Sequence, residues 1–156
     1  MALPTFPPSH PLGTTNPVTF RAAAILLAAG AWDVAPLEIS VAGFRWLTLF
    51  LTYTRGAAGG AVDFQAESSP NSADTVLEDW FTQTLYAPGV MAAGTDIVSR
   101  VQRELITYLA TGAAAENFVF GPIEIGGAVE RMRVRARESG DVANPGNIAI
   151  YGVLYT

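Results

Sequence analysis

The stretch LEISVAGFRWLTLFLTYTRG, residues 37–56, decides the fold. After a short apolar segment and Gly43, the longest alternating run of the chain extends from Trp46 to Thr54. β-Branched and aromatic residues at a period of two predict a central strand of an antiparallel sheet. We expect its aliphatic face to lie in the core, and its threonine and aromatic face to be covered by a second layer or by a neighbouring subunit. The two faces are Leu47, Leu49, Leu51 and Tyr53, and Trp46, Thr48, Phe50, Thr52 and Thr54.

The same alternation recurs on both sides of this run, between turns rich in glycine and proline. Residues 22–29, AAAILLAA, are expected in a buried strand, and the glycine-rich turn at 56–60 predicts a hairpin whose second strand has one wet face. Helical spacing competes with period two only at 97–109, where β-branched residues favour a strand. The prediction is an all-β, antiparallel two-sheet β-sandwich with a jelly-roll arrangement. Its eight or nine strands are predicted around residues 20–29, 37–41, 46–54, 61–68, 78–86, 97–109, 118–125, 129–137 and 148–155.

The first 19 residues differ from the rest of the chain. They hold five of the ten prolines and the only histidine, His10. Proline at this density prevents both a helix and a central strand, so residues 1–19 are predicted to form an extended N-terminal arm before a sandwich domain at 20–156. Such an arm is expected to lie on a partner, with Leu3, Phe6 and Leu12 as apolar anchors. An arm folded back on its own domain is the alternative.

The composition indicates a protein with a partly covered surface. Half of the residues are hydrophobic and 15% are charged, against about 25% charged in an average soluble domain. A small domain with so few charges usually binds a partner. The net charge of −5 argues against nucleic acid, which attracts clustered basic residues. The apolar residues 22–29 fall well short of the roughly 20 needed to span a membrane, so no membrane is expected.

Few residues are available for catalysis. The chain has no cysteine and one histidine, which argues against a nucleophile–histidine pair and against a zinc site. A glycosidase needs only two carboxylates, but the adjacent Glu78 and Asp79 point to opposite faces of a strand. With Asn71 and Asp74 they could hold calcium, although their spacing fits a solvated turn better. We therefore expect no enzyme, no catalytic residue, no cofactor and no metal.

The sequence VERMRVRAR at 129–137 places four arginines on one face of a predicted strand and apolar residues on the core face. Four like charges in a row repel one another unless acidic groups or solvent meet them. One interpretation is a surface row paired with acids on the adjacent strands. The other is an electrostatic ladder that binds an acidic partner. The arginines are Arg131, Arg133, Arg135 and Arg137.

Two segments resemble a known class of proteins. LEISVAGFRWLTLFLTYTRGAAGG at 37–60 and ARESGDVANPGNIAIYGVLYT at 136–156 are similar in style to small β-sandwich virion proteins of tailed bacteriophages, of the capsid decoration or cement kind. The resemblance implies a subunit, commonly trimeric, that lies on the outer capsid surface and bridges neighbouring capsomers. Its partners would be the major capsid protein and copies of itself, reached in part by the N-terminal arm.

Two other functions stay open at the level of sequence. A tail, neck or fibre component of the same virion would suit the very apolar segment at 22–29. A carbohydrate-binding β-sandwich would use Trp32, Trp46 and Trp80 as a platform for stacking sugars, although core or interface tryptophans are more usual.

Overall fold

The computed structural model of the protein describes residues 15–72, 80–87, 90–92 and 101–156. The arm residues Leu3, Phe6 and Leu12 lie outside these ranges. Within them, the chain forms strands and one 3-10 turn at Ala28–Gly30. The strands are β1 (Asn16–Ile25), β2 (Ile39–Ser40), β3 (Trp46–Thr54), β4 (Ala61–Ser69), β5 (Phe81–Thr82), β6 (Leu85–Ala87), β7 (Val90–Ala92), β8 (Val101–Arg103), β9 (Ile106–Leu109), β10 (Glu116–Glu124), β11 (Arg131–Glu138) and β12 (Asn147–Tyr155).

The strands form two main sheets that enclose one core. The first sheet has the order β1-β12-β3-β10, and the second has the order β2-β11-β4-β9-β7, with β5 paired to β4. β6 and β8 form a separate two-stranded ribbon. Without β5 to β8, which are inserted between β4 and β9, the remaining eight strands have the order of a jelly roll. The predicted β-sandwich is confirmed.

β3 lies at the centre of the first sheet, between β12 and β10 and antiparallel to both. The predicted core face is confirmed, because Leu47, Leu49, Leu51 and Tyr53 are each at most 1% exposed. The second sheet faces them with side chains from β4 and β11 that belong to the same core: Val62, Phe64, Ala66, Met132, Val134 and Ala136.

The predicted hairpin between β3 and β4 is wrong. The two strands belong to different sheets, because the turn at 56–60 carries the chain across the sandwich. The prediction that one face of β4 is exposed to solvent is also wrong. Asp63 and Glu67 are only 4% and 6% exposed, because arginines of β11 lie against them.

β1 corrects two further expectations. It begins at Asn16, so residues 16–19 pair with β12 rather than extending away as an arm. Ala22–Ile25 were expected to be buried but are exposed. β1 is an edge strand of the first sheet in the described residues, and two register shifts after Thr19 lead it away from regular pairing with β12. Leu26 is the buried residue of this apolar segment.

Two predicted strands are each divided in the structure. The described part of 97–109 forms β8 and β9, which pair with different neighbours. Its strand assignment is confirmed over 101–103 and 106–109, and residues 97–100 lie outside the described ranges. The described part of 78–86 likewise forms β5 and the start of β6, separated by Gln83 and Thr84.

Candidate assembly surfaces

The strand that carries the four arginines is β11, and β4 lies directly beside it. The register sets Arg133 opposite Glu67 and Arg137 opposite Asp63. The predicted alternation is confirmed, because the intervening Met132, Val134 and Ala136 are fully buried on the core face. Each arginine therefore projects from the outer face of the second sheet, next to a polar residue of β4.

Carboxylates of the same chain pair with all four arginines. Arg133 Nε donates to Glu67 Oε2 at 2.5 Å, and Arg135 Nη1 lies 3.7 Å from Glu67 Oε1. Arg137 Nη2 lies 3.0 Å from Asp63 Oδ2, and Arg131 is paired with the Glu38 carboxylate. The interpretation as a row paired with acids on neighbouring strands is confirmed for Arg133, Arg135 and Arg137. Binding of an acidic partner stays a prediction.

Two tryptophan rings lie against these arginines. The Trp80 ring lies 4.9 Å from the Arg131 guanidinium and 4.3 Å from that of Arg133. The Trp32 ring lies 5.6 Å and 4.6 Å from the guanidinium groups of the other two arginines. Cation–π attraction thus adds to the ion pairs and offsets repulsion along the row. We call the six side chains the Arg–Trp ladder: Arg131, Trp80, Arg133, Arg135, Trp32 and Arg137.

The sequence did not reveal this arrangement, because Trp32 and Trp80 are far from β11 along the chain. The third tryptophan, Trp46, belongs to β3 in the other sheet and lies near Arg45, 5.4 Å from its guanidinium. The three indoles therefore do not lie on one shared platform for stacking sugars.

A buried carboxylate that sequence reasoning missed lies at the end of β11. Glu138 is fully buried and accepts hydrogen bonds from the Tyr53 hydroxyl at 2.7 Å and the Ala61 amide at 2.8 Å. The amides of Gly140 and Gly146 also donate to it, at 3.2 Å and 2.9 Å. Burial, together with the hydrogen bond to Glu138 and its charge, raises the pKa of Tyr53 well above its ordinary value. With donors on both oxygens, this carboxylate stabilises the fold and is not free to act as a catalytic base.

The candidate calcium loop falls mostly outside the described residues, which include Asn71 but not Asp74, Glu78 or Asp79. The backbone carbonyl of Asn71 accepts a hydrogen bond from Arg131 Nε at 2.7 Å. In the described part of the chain, no three or more His, Cys, Asp or Glu side chains are arranged to hold a metal ion. The same part contains no helix that is long and apolar enough to cross a membrane.

The outward face of the first sheet differs from the Arg–Trp ladder in chemistry. Phe50 is paired with Val119 of β10 on one side and with Tyr151 of β12 on the other. These three side chains are 43%, 56% and 46% exposed. The sequence predicted that a second layer or subunit would cover this side of β3, and within the described residues no layer lies over Phe50. We call this surface the sheet face: Thr48, Phe50, Thr52, Asn117, Val119, Tyr151 and Val153.

No charged side chain belongs to the sheet face. Charges lie beyond both ends of it along β3. Arg45 and Glu124 form an exposed pair 3.7 Å apart at the Trp46 end, and Arg55 follows Thr54 at the other end. At the centre of a protein–protein interface, aromatic side chains are enriched and charged side chains are depleted. The sheet face is therefore the best candidate in the described structure for a surface buried by another protein.

A second apolar surface lies where β1 passes the segment before β2. This crevice of about 360 Å³ has Phe20 at its base and Leu27, Val34 and Leu37 along its walls. An ion pair at 3.0 Å between Arg21 and Asp33 ties the two segments together. Val34 is 87% exposed and Leu37 is 52% exposed, so this edge also presents apolar groups to solvent.

Comparisons with known proteins assign no family. No family model and no curated protein matches the chain. A solved structure of infectious bursal disease virus, Gt strain, is 8% identical at a TM-score of 0.44, and the match covers 99% of this chain and 36% of the other. A crystal structure of the infectious bursal disease virus VP2 subviral particle is 12% identical at a TM-score of 0.32, with coverages of 100% and 46%. The chain thus spans about a third and about half of the lengths of these two proteins.

Proposed function

We propose that this protein is a non-enzymatic structural protein of a tailed-bacteriophage virion, a decoration or cement subunit on the outer capsid surface. The uncharged sheet face is the observation that carries the proposal, because an exposed face of this composition is expected to be buried in an assembly. The jelly roll adds support by analogy, since viral capsid domains use it, although lectins and cupins use it as well. The resemblance of residues 37–60 and 136–156 to decoration proteins points the same way.

The proposed mechanism is mechanical. A subunit that bridges the seam between capsomers adds buried area there, so expansion or rupture of the shell must also break those contacts. The partners are the major capsid protein and further copies of this chain, and the resemblance implies a trimer on the outer surface of the capsid. In this proposal Leu3, Phe6 and Leu12 anchor the N-terminal arm on a neighbour.

The Arg–Trp ladder has a secondary place in this proposal. Its carboxylate partners already offset much of its charge, so it is not a free cationic surface. Arg135 and Arg137 keep 26% and 35% of their side chains exposed. We propose that these two make the contacts with an acidic partner, while Arg131 and Arg133 chiefly hold the ladder together.

Copy number in the virion tests the proposal. Quantitative mass spectrometry of purified virions of the encoding phage should find the protein in hundreds of copies per particle, with the major capsid protein as internal standard. Labelling of intact heads with a reagent that does not enter the shell should reach the subunit and place it outside. Absence from the virion would refute a structural role.

A tail, neck or fibre subunit is the second candidate. One observation favours it: the apolar residues Ala22–Ile25 are exposed along an edge strand, where ring-forming subunits could meet. A handful of copies per particle, retained in tails separated from heads, would support this location and exclude decoration.

A further inference from the structure

We infer that the sheet face binds the sheet face of a second copy of this chain, forming a two-fold pair. Val119, Phe50 and Tyr151 form an apolar row across three adjacent strands. Thr48 and Thr52 flank this row on β3 and point to the same side. The inference goes beyond the proposed role in the virion, because the contact would form between free subunits in solution.

The distribution of charge selects the partner. Burial of this face against an identical face desolvates no formal charge, so it avoids the main electrostatic cost of an interface. An acidic protein or a nucleic acid would find no cation there to bind. The other described outer face presents the four arginines and their carboxylates, which would leave charges unmatched against the sheet face. Interfaces between identical subunits are also the more apolar class.

The geometry favours two-fold symmetry. A contact in which one patch meets the same patch on the partner is isologous, and it closes as a dimer. Phe50 lies in the middle of the apolar row, so a two-fold axis that runs along β3 at Phe50 would set Val119 of one copy towards Tyr151 of the other. An aromatic side chain then packs on a β-branched one at each end of the row, a combination that stabilises paired strands.

The size of the face sets the strength of the pair. Three strands about 4.8 Å apart, with three outward rows about 6.8 Å apart, span roughly 300 Å². A standard stable interface buries about 800 Å² on each partner. The pair is therefore weak and concentration-dependent in solution, and it strengthens where subunits are held close together, since high local concentration favours association.

Sedimentation equilibrium of the full chain over a concentration series tests the pair. The wild type should show a monomer–dimer equilibrium, and Phe50→Ser should raise the dimer dissociation constant at least tenfold. Phe81→Ser is the matched control, because Phe81 is an exposed phenylalanine in the second sheet, 61% exposed against 43% for Phe50, and its replacement should leave dimerisation unchanged. A wild type that stays monomeric up to about 1 mM, or an equal effect of both variants, would overturn the inference.

A cysteine experiment tests the symmetry without removing an apolar side chain. Because the chain has no cysteine, Thr48→Cys or Thr52→Cys introduces a single thiol beside the proposed axis. Sheets packed face to face lie about 10 Å apart, which is too far for a direct disulfide, so a short bismaleimide is the cross-linker. It should give linked dimers for at least one of the two variants and none for Thr82→Cys in the second sheet. Higher oligomers that form without cross-linking at the sheet face would overturn the two-fold pair. Head binding by Phe50→Ser, measured separately, tests the virion role independently of the pair.

Discussion

The carboxylate of Glu138 shows how one buried residue can join distant parts of this chain. Its donors come from β3, from the first residue of β4 and from the turn that leads into β12. Glu138→Gln keeps the shape of the side chain but turns an amide donor towards groups that are themselves donors. We expect a loss of about 3 kcal/mol of unfolding free energy, because hydrogen bonds to a charged group are lost and buried donors lose their acceptor.

Urea unfolding followed by tryptophan fluorescence measures this loss. Glu104→Gln, at an exposed position, should change the unfolding free energy by less than about 0.5 kcal/mol. A Glu138→Gln protein as stable as the wild type would show that Tyr53 and the surrounding amides do not depend on the carboxylate. The alternation of β11 places Glu138 on the same face as the buried Ala136. The predicted strand ended at residue 137, however, and a carboxylate just beyond a strand is usually exposed.

Tyr108 gives the protein a predictable response to alkaline pH. Its ring stacks on Phe118 with centroids 3.9 Å apart, and its hydroxyl donates to Glu116 at 2.7 Å. Burial, the hydrogen bond to Glu116 and its charge raise the pKa of Tyr108 from 10.0 to about 12. Because the unfolded chain releases this proton first, the stability that Tyr108 contributes is complete below about pH 10 and is lost as the pH rises towards 12.

Phenolate absorbance at alkaline pH, with melting followed in parallel, tests this prediction. The wild type should show a late ionisation step that Tyr108→Phe lacks, and Glu116→Gln should move that step towards the ordinary pKa. A titration in which Tyr108→Phe removes only a normal step near pH 10 would contradict it.

Glu116 makes the stability of the protein depend on pH in the acid range, whereas Tyr108 does so in the alkaline range. Burial alone would raise its pKa, but hydrogen bonds from Tyr108, Thr111 and Gly112 outweigh burial and lower the pKa below 4.5. The resulting stability is present above about pH 4.5 and is lost as the pH falls through the lowered pKa. Glu116→Gln should therefore flatten the acid side of the stability curve.

At the scale of elements, the Arg–Trp ladder should make β4 and β11 depend on each other. Glu67 is nearly buried between Arg133 and Arg135. We expect Glu67→Gln to lower the unfolding free energy by about 2 kcal/mol, less than for a fully buried pair because both arginines are partly exposed.

A double-mutant cycle between Glu67→Gln and Arg133→Gln measures the interaction itself. It should give a favourable coupling of about 1 kcal/mol or more, whereas the same cycle at the exposed pair of Arg45 and Glu124 should give a value near zero. Equal coupling at the two pairs would mean that the ladder contributes no more than ordinary surface charges.

The strands show what could be predicted from the sequence and why the rest could not. Period-two patterns correctly predicted β3 and the two faces of β11, because alternation fixes which side of a strand is buried. The same local pattern does not specify which strand lies alongside, so β3 and β4 were expected to be neighbours. Ala22–Ile25 look like core residues in sequence, but an edge strand with register shifts leaves them exposed. The packing of Trp32 and Trp80 on the arginines depends on contacts across the fold that no local pattern encodes.

At the scale of the whole molecule, the outer faces of the two sheets differ in their charge. The outer face of the second sheet pairs its charges within the chain, whereas the sheet face of the first sheet carries no charged side chain and exposes Phe50, Val119 and Tyr151. The candidate surface was thus predictable in part. The alternation of β3 predicted that a second layer or a neighbouring subunit would cover Phe50 and its threonine neighbours. Its extension to Val119 and Tyr151 was not, because it follows from the jelly-roll order that brings β10 and β12 beside β3.

The N-terminal arm can be tested separately because β1 begins at Asn16. Removal of residues 1–14 leaves the strand intact, so the melting temperature should change by no more than about 2 °C, less than the shift expected for a loss of 1 kcal/mol. Removal of residues 1–19 also deletes the pairs that Asn16–Thr19 make with β12 and should clearly lower the melting temperature.

If the arm binds the capsid, the shorter truncation should weaken binding to purified heads at least tenfold while the protein stays folded, since only the arm's buried area is lost. Undiminished binding by this variant would mean that attachment depends on the sandwich alone, whereas a large fall in its melting temperature would mean that the arm packs on its own domain.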